Sequence, residues 1–272
     1  MNQQNVHWFP GHMKKAWRQI IEKLPLVDVL IEVRDARAPR ASELPPFPLK
    51  KRQIHLVIYN KADLALPTLD PLLSSQESRI VYVSLTSPTG WKILRKILEQ
   101  LQDQFHQFDR DKGRKPQPLK LMIVGVPNVG KSTLINRLCG SKKVATENRA
   151  GSTRGQQWIH TMLGYSLLDT PGVLTPRYEH QDIAYQLAAI GSMKFSILPQ
   201  ELLGRFVFEQ VKKAKTPLPF FADFPQEDYA LFLQAFAEKR MMKQQGEWNV
   251  LLAEETFLHL FASGKLGRFT FL

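Results

Sequence analysis

Residues 125–132 read GVPNVGKS and bring two glycines, an asparagine, a lysine and a hydroxyl into one short stretch. In that spacing backbone N–H groups can surround a phosphate, the lysine can neutralise it, and the hydroxyl can reach a hard cation. The preceding run LKLMIVG (119–125) reads as a buried strand and the following KSTLINRL (131–138) as a helix. An anion would therefore meet a helix N-terminus, where the dipole favours negative charge. Lys131 would bridge two phosphates and Ser132 would offer its hydroxyl to Mg²⁺, with Pro127, Asn128, Val129, Gly130 and Thr133 completing the contact. Further on, DTPG (169–172) follows the apolar YSLL, so Asp169 stands at a strand end and can hold Mg²⁺ through water. The Gly172 amide can approach a terminal phosphate. Between these boxes RAGSTRG (149–155) is a polar, glycine-bearing loop in which Thr153 is the residue suited to close on the metal, with Ser152 as the alternative.

A third box, NKAD (60–63), closes the apolar run IHLVIYN (54–60). A carboxylate at Asp63 can accept from both the N1–H and the 2-amino group of guanine. Adenine offers neither donor, so it would leave a buried acceptor unpaired, and discrimination follows. Asn60 would bond the base's other edge, with the Lys61 stem along the ring. At the end of the next apolar run stands SLT (84–86), where Ser84 and the Leu85 amide are candidates to reach guanine O6.

The elements that must position these boxes are four apolar, β-branched runs, 27–33, 54–60, 80–84 and 119–125, each ending in a polar or glycine-containing loop. Such runs read as parallel strands whose carboxyl ends form one ligand-binding edge. Residues 91–105 have helical apolar spacing, and the charged, Pro- and Gly-bearing stretch of about 106–118 reads as a linker. The base-reading box precedes the phosphate loop, the reverse of the usual order. All boxes lie on one sheet edge, so joining the old chain ends and reopening elsewhere preserves the site. The expected fold is α/β: a circularly permuted P-loop GTPase domain with a parallel-rich sheet over 1–178, entered through a basic helix at 12–24. A small all-helical C-terminal domain follows over 179–272, with helices near 180–191, 199–215, 226–243 and 249–263. Phe232, Phe236, Phe257 and Phe261 fall at helical spacing and read as core.

The 272 residues carry 37 Lys+Arg against 25 Asp+Glu, a net charge of +12 that favours a polyanionic partner. Basic residues recur at Lys14, Lys15, Arg18 and Lys23, at Arg110, Lys112, Arg114 and Lys115, at Lys212, Lys213 and Lys215, and at Lys239, Arg240 and Lys243. Patches spread in this way suit structured RNA more than one single-stranded sequence. The single cysteine, Cys139, excludes an internal disulfide and a cysteine-based zinc site. No apolar run approaches membrane-spanning length, and the first residues have no signal-peptide pattern.

With WFPGHM (8–13), DARAP (35–39), NKAD, GVPNVGKS, GSTRG (151–155), DTPGV and GKLG (264–267) in this order, the chain resembles the circularly permuted GTPases of the YlqF/RbgA type, the ribosome biogenesis GTPase A family. The resemblance implies a cytoplasmic, Mg²⁺-dependent GTPase that binds the large ribosomal subunit and its rRNA late in assembly, with hydrolysis promoting release. A monomer without DNA or membrane partners is expected. The alternative is an RNA-binding scaffold that uses GTP occupancy as a signal; a P-loop kinase is disfavoured by the guanine box. Val173 and Leu174 follow DTPG where Ras-like enzymes carry a water-orienting glutamine. The resemblance points instead to His12, which otherwise would cap the first helix or meet RNA phosphate. Asn128 is the candidate to help hold K⁺ between the phosphates, or else it stabilises the loop through a local backbone bond. Asp35 and Arg37 either tie the N-terminal segment to the switches or form a salt-bridged turn. SLTSPTG departs from the family's Ser-Ala-Lys type of box, and the segment before GKLG lacks its expected glycine-rich, basic character.

Overall fold

The computed structural model describes residues 11–67, 78–140, 146–147, 158–168, 181–214 and 218–271. They fall into two compact units. The first draws on residues up to Ala36, 42–62 and 68–177, and the second on Arg37–Ala41, Asp63–Pro67 and the chain from Tyr178 onward.

In the first unit, helix α1 (Gly11–Lys23) precedes strands β1 (Val29–Asp35), β2 (Ile54–Asn60) and β3 (Ser78–Tyr82). Helix α2 (Pro88–Asp111), β4 (Leu119–Val124), α3 (Lys131–Cys139), β5 (Thr146–Glu147), β6 (Trp158–His160) and β7 (Tyr165–Leu168) follow. The sheet order is β3-β2-β1-β4-β7-β6-β5. The first five of these strands pair in parallel, while β6 and β5 add antiparallel at one edge. Thus β1, made early, lies between β2 and the much later β4, and the boxes that end β2 and β4 share one sheet edge.

Buried Val29, Ile31, Val33, Leu56, Ile58, Leu121 and Ile123 give the strands their apolar continuity. Strand β1 runs two residues beyond the apolar run that announced it, because Arg34 and Asp35 are buried as ion pairs. Glu32, fully buried, accepts from Arg34 at 2.8 and 2.9 Å, from the Leu44 amide at 2.8 Å, and faces His55 Nε2 at 2.9 Å. Burial alone would raise its pKa, but the bonds from His55 and Arg34 outweigh that and hold it below the ordinary range. From His55 a ring ladder continues through Phe47 (centroids 5.8 Å) to Trp17 of α1 (5.2 Å). Ala16, Ile20 and Leu24, one helical stripe, are buried beside it.

Helix α2 corrects the linker expectation. It continues to Asp111, through residues read as linker from 106 onward. Its last turn is polar yet internally satisfied: Gln107 bonds Asp111 at 2.7 Å and Arg110 at 3.0 Å, and Arg52 lies 3.7 Å over the Phe108 ring. Ser87 caps its start by accepting from the Gly90 amide at 2.9 Å.

The second unit contains α4 (Gln181–Ala189), α5 (Gln200–Lys213), α6 (Tyr229–Lys239) and α7 (Val250–Ala262). One short hairpin, β8 (Lys243–Gln244) with β9 (Glu247–Trp248), interrupts an otherwise helical region. The core is aromatic: Phe232 meets Phe208 at 5.3 Å, Phe221 at 5.2 Å and Phe257 at 4.9 Å, and Phe232, Phe236 and Phe257 are fully buried. Tyr229 donates to Glu254 at 2.7 Å; burial and this carboxylate push the phenol's pKa up. Arg37, from DARAP, is buried here. Its guanidinium donates to the carbonyls of Ala262 at 2.6 Å and Ile190 at 3.1 Å, at the C-terminal ends of α7 and α4. It thereby satisfies carbonyls that a helix end leaves open and sets a cation against two helix dipoles. This helix-end role is additional to the two sequence readings of Arg37; the switches to which one of them ties it lie outside the described residues. Among the described residues no helix is long and apolar enough to cross a membrane.

Candidate functional site

Strand β4 ends at Val124 and helix α3 begins at Lys131, so the phosphate loop occupies the turn between a sheet's carboxyl edge and a helix N-terminus. Gly130 caps α3 at φ 110°, and a Cβ there would stand 2.2 Å from Asn60 Nδ2, so the position requires glycine on both counts. Leu134 is the first α3 amide bonded within the turn, to Gly130 O at 3.0 Å. The amides before it belong to the open first turn. A cavity of about 280 Å³ lies here, lined by Asn128, Gly130, Lys131, Ser132 and Thr133. Val129 packs fully buried beneath the loop, while Asn128 takes a left-handed backbone with φ 59°.

Lys131 Nζ donates to the Val126 carbonyl at 2.6 Å, and burial pushes its pKa down to about 8. A phosphate group in the cavity would supply the negative charge that favours its protonated form. The donor set also fits Mg²⁺. Ser132 contributes one hydroxyl in the first helical turn, and among the described residues no cluster of three His, Cys, Asp or Glu could cage a metal. A hard hydroxyl oxygen of this kind suits Mg²⁺, which takes few protein ligands. Thr153, Asp169 and Gly172 lie outside the described residues, as does the His12 side chain, although His12 is the second residue of α1 and β7 ends one residue before Asp169.

The base-reading box is wired into this loop by Asn60. Its Nδ2 donates to the Val129 carbonyl at 2.7 Å, its Oδ1 accepts from the Leu85 amide at 2.9 Å, and its own carbonyl accepts from Ala36 at 2.8 Å. One buried amide therefore joins three loops. Lys61, at φ 60°, pairs with Asp35 at 2.8 Å; Asp35 stands level with Asn60 in the β1–β2 ladder and is fully buried. The lysine is thus anchored at both ends, which leaves its stem as a flat apolar bar. Asp35 was visible in the sequence only as part of DARAP, and this anchoring role was missed. Asp63 is exposed, and its carboxylate makes no hydrogen bond or ion pair among the described residues.

One assignment changes. Leu85 is fully buried and its amide is taken by Asn60, so it is not available to guanine O6. The amide of exposed Thr86 makes no hydrogen bond among the described residues, while the Thr86 carbonyl accepts from Arg137 at 2.8 Å. Ser84 Oγ pairs with Thr86 Oγ1 at 2.9 Å and supports the turn. Nothing in a linear reading of SLT distinguishes a bonded amide from its neighbour.

Comparison with known proteins agrees with this geometry. A family profile described as "50S ribosome-binding GTPase" matches residues 120–215. Ribosome biogenesis GTPase A from Priestia megaterium is 33% identical over 276 residues, covering 98% of this chain and 96% of that protein. The probable ribosome biogenesis GTPase A of Mycoplasma genitalium is 34% identical, with 98% and 96% covered. Among solved structures, GNP-bound YlqF from T. maritima is similar at a TM-score of 0.63 and 28% identity, covering 94% of this chain and 97% of that one. A GDP-bound YlqF structure gives a TM-score of 0.64 at the same identity, with 94% and 98% covered. A phosphate loop on a permuted parallel sheet, matched over nearly its whole length by these relatives, places the chain in the ribosome biogenesis GTPase A family and makes it a GTPase.

Proposed function

We propose that this GTPase docks on the large ribosomal subunit late in its maturation, and that hydrolysis promotes its release. The observation that carries the reading is similarity over 98% of the chain, through both units, to relatives named for ribosome biogenesis. The family profile's ribosome-binding description and the net charge of +12 support it. In this reading residues 1–178 form the GTPase domain and 179–272 a domain for RNA or ribosome contact. Asp63 reads guanine N1–H and the 2-amino group, the Lys61 stem lies along the ring, and the Thr86 amide takes the O6 contact first given to Leu85. Lys131 and the first-turn amides of α3 hold phosphate. Ser132, Thr153 and, through water, Asp169 hold Mg²⁺, which supplies charge neutralisation at the transferred phosphoryl group. Asn128 assists a K⁺ ion, and His12 orients the attacking water.

GTP turnover with and without isolated large subunits, in KCl and Mg²⁺, tests the reading. Strong stimulation by the subunit is expected, with His12→Ala blocking release more than binding. Binding without stimulation by mature or immature subunits would overturn it. Equal rates in KCl and NaCl would remove the potassium role. The second reading, a scaffold in which GTP occupancy is the signal, is favoured by Val173 and Leu174, which cannot orient water. It requires wild-type release of the protein when hydrolysis is abolished.

A further inference from the structure

The last residues of the chain lie along the end of the NKAD box. Arg268 Nε donates to the Asp63 carbonyl at 2.8 Å, the Phe269 amide donates to the Leu64 carbonyl at 3.0 Å, and the Leu66 amide donates to Thr270 Oγ1 at 3.0 Å. Three consecutive tail residues thus bond the segment 63–66 in register. The tail is itself anchored. Phe269 packs on Phe261 (centroids 5.3 Å) and Phe271 (4.9 Å), Phe269, Thr270 and Phe271 are buried, and the Phe271 amide donates to the Arg37 carbonyl at 2.7 Å. Gly264, in GKLG, stands where a Cβ would meet the Leu64 side chain at 2.7 Å, so its glycine keeps room for the same segment.

Asn60 and Lys61 are held by their own side chains, but the Asp63 carboxylate is exposed and unbonded among the described residues. Its aim depends on the backbone that carries it. We infer that the tail Arg268–Thr270 is a specificity-determining splint that positions Asp63 against the guanine 2-amino group. This rests on the proposed role of Asp63 in reading the base. A carboxylate accepting two parallel hydrogen bonds tolerates little displacement, so loosening its backbone costs the guanine-specific contact first and the phosphate contacts, made by α3, much less.

The test measures equilibrium binding of GTP and of inosine triphosphate, which lacks only the 2-amino group, to the full-length protein. The variants are Arg268→Ala, Thr270→Val, Thr270→Ser and Asp63→Asn. Arg268 is exposed, so its truncation leaves no core cavity. Wild type should prefer GTP by about tenfold or more. Arg268→Ala and Thr270→Val should shrink that preference at least threefold, with inosine triphosphate, which keeps only the N1–H contact to Asp63, losing less affinity than GTP, and Thr270→Ser, which keeps the hydroxyl, should restore it. Asp63→Asn should abolish the preference and gain xanthosine triphosphate, whose 2-oxo group accepts where guanine donates. Should Asp63→Asn lose the preference while both tail variants keep it, or lower both affinities equally, the splint is refuted and the base reading stands. An unchanged preference in Asp63→Asn would refute the base reading, and the splint with it.

Discussion

Asn60→Asp tests the wiring of the site with the smallest available change. The variant keeps size, shape and the oxygen that accepts from Leu85 at 2.9 Å. It replaces the donor 2.7 Å from the Val129 carbonyl with an acceptor, so two oxygens face one another in a buried place. The loss is one buried hydrogen bond, about 1 kcal/mol, plus about 1–3 kcal/mol for the carbonyl and carboxylate oxygen left unpaired. A total of about 2–4 kcal/mol corresponds to roughly 30- to 1,000-fold in affinity if the phosphate loop bears it all. If folding bears it instead, the melting temperature should fall by roughly 4–16 °C. Measuring both a fluorescent GTP analogue by equilibrium titration and thermal unfolding without nucleotide separates the two routes. Asn60→Asp with wild-type affinity and wild-type melting would refute the claim that this amide holds the phosphate loop.

Further perturbations follow from the same geometry. Gly130→Ala should abolish measurable GTP binding by calorimetry, since a Cβ would sit 2.2 Å from Asn60 Nδ2 at a φ of 110°. Glu32→Gln should lower unfolding free energy in urea by about 2–3 kcal/mol, because it leaves the buried Arg34 guanidinium only the more exposed Glu43, 3.3 Å away, as counter-charge. The folded Glu32 carboxyl titrates below its ordinary 4.5, so the unfolded chain binds more protons in that window. Its stabilising contribution is therefore complete above about pH 4.5 and is lost as pH falls through the folded value, and Glu32→Gln should flatten this part of the acid limb. Arg37→Met should cost about 2–4 kcal/mol in thermal or urea unfolding by uncovering two helix-end carbonyls, with Arg37→Lys, able to reach one, in between.

Legibility in the sequence followed local chemistry. Strand β2 occupies the residues its apolar run marks, the phosphate loop lies between strand and helix as its glycines require, and Phe232, Phe236 and Phe257 are core as their spacing implies. Where polar residues are satisfied by partners distant in sequence, hydropathy misplaced the boundary. Arg34 and Asp35 extend β1 because Glu32 and Lys61 neutralise them, and the polar end of α2 stays helical through its own side-chain bonds. The Leu85 amide was misassigned because its acceptor is a side chain 25 residues away. The recruitment of 37–41 and 63–67 into the second unit has no local signature, since it is made by main-chain bonds to the tail, by the Arg37 and Arg268 guanidiniums and by the Thr270 hydroxyl.

Arg37 also sets an order of events during synthesis. Its carbonyl partners lie 153 and 225 residues further along the chain. At about 5–20 residues per second, roughly 10–45 s separate its translation from that of Ala262. During that interval a cation destined for burial must remain in water, so the second unit cannot close fully around it until Ala262 has been made. A nascent chain that stops short of Ala262 therefore keeps DARAP open to proteases, whereas one that includes it hides the segment.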